Sequence, residues 1–146
     1  MNPEVSCRML DASDAKILES VADGVFDNAI SPALAAEFLA DSRHHLAVAV
    51  AEGVVIGFAS GVHHVHPDKP AELWINELGV AESHRRQGLA RRLLNVLFGH
   101  ARSLGCSQAW VLAEAGNEAA HKLYASMPGS HPPTQPLMFE FDLRQP

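Results

Sequence analysis

The run Leu78 to Leu94, LGVAESHRRQGLARRLL, sets an apolar stretch, a polar turn, a glycine and an amphipathic segment in direct succession. A helix opening at Gly88 would present backbone N–H groups from Arg86 through Ala90 that have no intrahelical acceptor, and the helix dipole adds positive potential at the same point. That is the chemistry of an anion site. Gly88 lets the backbone approach a ligand closely and the small Ala90 keeps the first turn open, so a diphosphate fits. The spacing is not that of a Walker loop, because no Gly-Lys-Ser/Thr follows, nor that of a dinucleotide fingerprint, because three spaced glycines are absent. A second cluster, His63-His64-x-His66, brings three imidazoles into four residues. On a strand His64 and His66 share a face while His63 points away, and no cysteine or clear fourth ligand is nearby, so no metal is expected. Cys7 and Cys106 sit in no motif and are read as two separate thiols.

Several elements must position these residues. Glu4 to Leu10 reads as a short strand, and Asp11 or Ser13 can cap a helix running to about Val25. A second helix is expected from Ser31-Pro32 to near Ser42, with Ser as the cap and Pro in the first turn. Two Val- and Ala-rich strands, about His45 to Ala51 and Val54 to Val62, are joined across Glu52-Gly53 as a tight hairpin. A fourth strand is expected from about Glu72 to Val80. The strongest periodicity is a helix from Gly88 to about Ser103, with Leu89, Leu93, Leu94, Leu97, Phe98 and Ala101 on one face. Gly105 ends it, Ser107 to Ala113 reads as a strand, and Asn117 caps a short helix to about Met127, stopped by Pro128-Gly129. Leu137 to Leu143 reads as the last strand. The order β-α-α-β-β-β-α-β-α-β is that of an α/β domain with a mixed sheet and one strand-helix-strand crossover.

The 146 residues, 47% hydrophobic, suit a single domain over 1–146 with a core that needs no disulfide or metal. No apolar run approaches the roughly 18 residues of a spanning helix. The N-terminus shows no basic region followed by an apolar run, so a cytoplasmic location is expected. The formal charge of −6 is unevenly spread: residues 85 to 102 hold five bases and no acid, while residues 1 to 84 hold thirteen acids against four bases. An acidic chain with one basic island is a poor match for nucleic acid and a good one for a compact anion such as a phosphate. The alternative is a solvated helix face.

With strand before and helix after, and a second unit at Asn117 to Tyr124, the arrangement resembles the GCN5-related N-acetyltransferase (GNAT) superfamily, whose Arg/Gln-x-x-Gly-x-Gly/Ala loop binds the pyrophosphate of acetyl-CoA. The resemblance implies a mixed central sheet flanked by helices, with a V-shaped splay between the fourth and fifth strands. It assigns backbone groups of Leu78, Gly79 and Val80 to pantetheine, with a backbone N–H there stabilising the oxyanion. Arg85, Arg86, Gln87, Gly88, Leu89 and Ala90 become the pyrophosphate loop, and Arg91 or Arg92 either reaches the 3′-phosphate or faces water. Tyr124, the single tyrosine, falls where the superfamily places the acid that protonates departing coenzyme A, and a phenol with pKa near 10 is a fair donor to a thiolate. Its other reading is core packing beside Ala120 and Leu123. Asn117 matches a pantetheine contact or is a plain helix cap.

Glu77 is the leading base for the attacking ammonium. Its alternation with Leu73 and Ile75 predicts one shared strand face, a setting that raises a carboxyl pKa, against the plainer reading of an exposed strand-end carboxylate. A closer resemblance, carried by Glu77 to Ala90 and Val111 to Tyr124, is to the small aminoglycoside 3-N-acetyltransferases. It implies an aminoglycoside acceptor, and acids recur there at Glu114 and Glu118. Direct attack within a ternary complex is expected because neither cysteine is placed as an acyl carrier, and on charge grounds carboxylates such as Glu114, Glu118 and Asp142 are candidates to hold the ammonium groups of a cationic amine. Asn117 and Ala115 depart from the acid and aromatic residue expected there. A peptide N-terminus or polyamine acceptor, and a non-catalytic acyl-CoA-binding module, are the competing readings. Neither nucleic acid nor membrane is an expected partner, and a homodimer stays open.

Overall fold

A computed structural model describes residues 4–144. The chain divides into two compact units, Met1–Glu114 and Ala115–Pro146, each described by itself.

The first unit is a five-stranded sheet in the order β1 to β5. Strands β1 (Val5–Met9), β2 (His44–Ala51), β3 (Val54–His64) and β4 (Glu72–Val80) are antiparallel neighbours. β5 (Gln108–Val111) returns parallel to β4 after the crossover through α2 (Leu89–Ser103). The β2–β3 turn forms where expected: Glu52 and Gly53 both take positive φ, 50° and 78°, the geometry of a two-residue hairpin whose twist matches its strands. Helix α1 (Pro32–Ala40) starts at Ser31, whose side chain accepts from the Leu34 N–H at 3.3 Å.

The core lies between the sheet and α2. Leu93, Leu94 and Leu97 are fully buried, and Leu89 and Ala101 nearly so, on the face that packs against β1 to β4. Full burial of each leucine contributes about 2 kcal/mol, so this face is the main hold of α2 on the sheet. Gly57 makes room for it: a Cβ there would lie 3.3 Å from a Leu93 methyl.

Two expected elements differ. The first helix is a short 3-10 helix, Ala12–Glu19, closed by a reciprocal cap between Asp11 and Asp14 rather than running to Val25. It ends because the next residues are drawn to the start of β3: the Val55 N–H donates to Ser20 and the Ala22 N–H to the Val55 carbonyl. The expected strand Leu137 to Leu143 is absent from the described residues. Pro132, Pro133 and Pro136 remove three N–H donors just before it, and Leu137, Phe139, Phe141 and Leu143 stay 75–92% exposed without pairing to a neighbouring strand. Among its described residues the second unit therefore contains one regular element, α3 (Glu118–Ser126). Among the described residues no helix is long and apolar enough to cross a membrane.

Candidate active site

β4 changes character halfway along. Glu72 to Ile75 pair with β3 on one side and β5 on the other, with Ile75 opposite Val111 as the last β5 contact. At that point the β3 register shifts: Gly61 faces Ile75 but Ser60 faces Glu77, so Asn76 is an extra residue. Such a bulge bends the strand and sharpens its twist. From Asn76 to Val80 the strand has a sheet neighbour only in β3, and the edge that faced β5 is open. This is the expected splay.

The bulge also corrects the placement of Glu77. Directly paired residues share a face, so Glu77 lies with Ser60, Val62 and Trp74, opposite the face that holds Leu73 and Ile75. Leu73 and Ile75 are buried, whereas Glu77 is exposed. It is the strand-end carboxylate of the plainer reading and has no apolar pocket around it.

Beyond the open edge the chain enters the loop. Gly79 sits where nothing larger fits, because a Cβ would collide with the Val25 carbonyl oxygen and lie 2.9 Å from the Phe58 ring. The Ala81 N–H donates to the Ile56 carbonyl at 2.8 Å, which ties the strand exit to β3. Arg85 turns back, its Nε donating to the Val80 carbonyl at 3.1 Å. Arg86 and Gly88 both take positive φ, 62° and 75°. Gly88 is the N-cap of α2, and no side chain caps the helix. The first-turn N–H groups of Leu89 and Ala90 thus project from the helix start beside exposed Arg85, Arg86 and Gln87. Arg92 is committed elsewhere, donating to the Val5 carbonyl at 2.9 Å.

This donor set suits a diphosphate, and the open edge of Asn76–Val80 suits an extended amide-bearing arm. The fit of the acetyl-CoA expectation to these residues rests on those two features. In the second unit, Asn117 caps α3 by accepting from the Ala120 N–H at 3.1 Å. Tyr124 is half-buried near the end of α3, and burial pushes its phenol up from its usual pKa, keeping it protonated at neutral pH. Glu118 is exposed in the first turn of α3, and Asp142 is paired with Arg144 at 3.0 Å. Glu114 is an exposed residue at the end of the first unit.

Two side-chain groups were not foreseen. On the α2 face of the sheet, His45 is almost fully buried and bonds His63 at 2.7 Å and His100 of α2 at 3.1 Å. Burial, with the neighbouring imidazoles adding to it, depresses the His45 pKa to about 4. On the opposite face His64, Trp74 and Trp110 form a parallel layer: the two indoles are 5.2 Å apart at 12°, and His64 stacks 6.0 Å from Trp74. Their partners are 10 to 55 positions apart in the chain, so only alternation within each strand hints at either group. Cys7 and Cys106 are free thiols. Among the described residues no group of three or more His, Cys, Asp or Glu could hold a metal ion.

The family model described as Acetyltransferase (GNAT) family matches residues 15–127. No curated protein sequence matches the chain. Among solved structures, the chain is similar to an aminoglycoside acetyltransferase from an uncultured soil metagenomic sample, with a TM-score of 0.80 and 20% identity over 96% of this chain and 99% of that one. The aminoglycoside N-acetyltransferase AAC(6')-Iy in complex with CoA gives a TM-score of 0.75 and 19% identity over 98% and 97%. A ribosomal-protein-alanine N-acetyltransferase from Brucella melitensis biovar Abortus 2308 gives 0.69 and 20% over 94% and 100%. With the open β4 edge, the glycine-started α2 and a family match across most of its length, the chain belongs to the acetyltransferase (GNAT) family.

Proposed function

We propose that the chain is an acetyl-CoA-dependent N-acetyltransferase whose acceptor is an amine of an aminoglycoside antibiotic, so that its activity confers resistance. The observation that carries the cofactor half is the run of open strand edge, left-handed turn and uncapped helix start from Asn76 to Ala90. Residues 15–127, which the family model matches, run through both compact units and support reading 1–146 as one acetyltransferase domain. Acetyl-CoA supplies an activated acetyl thioester.

The chain's own groups then have these roles. Leu78, Gly79 and Val80 offer backbone groups to the pantetheine arm, with a backbone N–H there facing the carbonyl oxygen that gains charge. Arg85 through Ala90 hold the pyrophosphate, and Asn117 contacts pantetheine. Glu77 takes a proton from the acceptor ammonium, directly or through water. The freed amine attacks the carbonyl carbon, the C–S bond breaks as the carbonyl re-forms, Tyr124 Oη donates its proton to the departing thiolate, and the second proton shed by the new amide nitrogen restores the phenol, directly or through water. Glu114, Glu118 and Asp142 hold further ammonium groups. Both substrates are present together in this scheme.

The acceptor half rests on charge and on the 3-N-acetyltransferase resemblance of Glu77 to Ala90 and Val111 to Tyr124, which favours the 3-amine. Outside the basic stretch 85–102 the chain is strongly acidic, a field that concentrates a polycation. The soil aminoglycoside acetyltransferase shares the fold and is compatible with this acceptor. The likeness to the ribosomal-protein-alanine enzyme favours a second reading, a peptide N-terminus. A thiol-release assay across gentamicin- and kanamycin-class compounds, polyamines and peptides separates them. Release with the antibiotics and an acetyl group on N3 is expected; silence with them beside activity on a peptide would overturn the acceptor. Tyr124→Phe should lower kcat about a hundredfold while sparing acetyl-CoA binding.

A further inference from the structure

We infer that the aromatic layer on the face of the sheet opposite α2, Trp74, Trp110 and His64, is the platform on which a multi-ring amino sugar lies, one ring away from the reacting amine. The inference rests on the aminoglycoside reading above and names the residues that select for it. The three rings are parallel and stacked, with centroids 5.2 to 6.3 Å apart and interplanar angles of 12° to 25°, and Trp110, on the last strand of the sheet, is 38% exposed. Their arrangement follows from pairing: Trp74 lies directly opposite Trp110 across β4 and β5, and Val62 opposite Trp74 puts His64 one step along the same face.

Two observations identify the occupant. First, the layer is bracketed by carboxylates on its own face, Glu72 opposite His64 and Glu77 opposite Ser60. An indole face is electron-rich and attracts C–H edges and ammonium groups alike, so indoles between carboxylates suit a ring that carries several amines rather than an apolar or anionic one. Second, the spacing fits. The β3 partners of Trp74 and Glu77, Val62 and Ser60, are two residues apart, so Trp74 and Glu77 are separated by about 7 Å at roughly 3.3 Å per residue, the step from one sugar ring to the next. A ring stacked on the indoles thus leaves the next ring's amine at Glu77. A single-ring amine reaches only one of the two.

Trp74 and Trp110 are the chain's two tryptophans, so fluorescence excited at a wavelength that only indole absorbs reports on this layer. Kanamycin should change that emission saturably in the full-length protein without acetyl-CoA, and glucosamine at equal concentration should not. In turnover, Trp110→Ala should raise KM for kanamycin about tenfold, leave KM for acetyl-CoA unchanged and leave kcat/KM for glucosamine unchanged, with Trp110→Phe restoring most of the loss. Kanamycin turnover with no emission change and an unaltered KM in Trp110→Ala would overturn the platform while leaving the proposed function standing. An emission change with no turnover of any amine would support the platform and sink the proposed function. Equal losses for kanamycin and glucosamine in Trp110→Ala would also overturn it.

Discussion

The two halves of β4 share one strand and one neighbour in β3, yet they do opposite things. Glu72 to Ile75 are hydrogen-bonded on both edges, bury Leu73 and Ile75 under α2 and turn Trp74 to the other face. Asn76 to Val80 lose β5, expose one edge and lead into a loop with two left-handed residues and an uncapped helix. The boundary is a single inserted residue, Asn76. The difference teaches how a rigid sheet presents unsatisfied backbone groups without unravelling: the paired half and the α2 core hold the strand in place while the bent half is left for a ligand.

The comparison can be broken from either side. Ile75→Ala should cost about 3 kcal/mol in urea denaturation, as a cavity under α2, and leave acetyl-CoA affinity of the folded protein unchanged. Gly79→Val should cost about 2–3 kcal/mol, because its side chain meets the Val25 carbonyl and the Phe58 ring, and should weaken acetyl-CoA as well. If both variants lose stability alone, the two halves are not functionally distinct.

Deleting Asn76 sharpens the test. It restores unbroken pairing with β3 and leaves Glu77 opposite Ser60, so only the bend is removed. Calorimetric titration should then show acetyl-CoA bound at least about tenfold more weakly, the loss expected when an open edge is straightened toward its neighbour. Next in size is Gly88→Ala, which has room for its methyl group but not for its φ of 75°. A left-handed alanine costs about 1 kcal/mol, read as a lower thermal midpoint, with acetyl-CoA affinity falling as the turn reshapes.

The pattern in the chain was enough for β4, the β2–β3 turn and α2, because each is a long periodic run with its own stop signal. It was not enough for the bulge: Asn76 and Glu77 are both polar, so an inserted residue leaves the alternation looking regular and assigns Glu77 to the wrong face. The first helix failed because residues 20–22 are claimed by a tertiary pairing with Val55. The last strand failed because alternation predicts a face but not a partner. The loop Arg85 to Ala90 was legible, since its chemistry is backbone chemistry set by a strand, a glycine and a helix. The histidine and tryptophan groups were not, since they join residues far apart in the chain.

The smallest effect lies on the face that the ligand does not use. His45, facing His63 and His100 with His44 and Asp41 near, stays neutral in the folded protein down to about pH 4, while an unfolded histidine takes a proton near 6.5. The unfolded state therefore binds more protons between those values, and stability present above pH 6.5 is lost as pH falls toward 4. The thermal midpoint should drop by a few degrees across that window, and His45→Gln should flatten the slope.

The central claim, that the bent half of β4 and the start of α2 receive acetyl-CoA, is tested most directly by amide hydrogen exchange with and without it. The account predicts slowed exchange across Asn76–Val80 and Arg86–Ala90, with Leu73–Ile75 unchanged. Equal protection of both halves, or none in either, would contradict it.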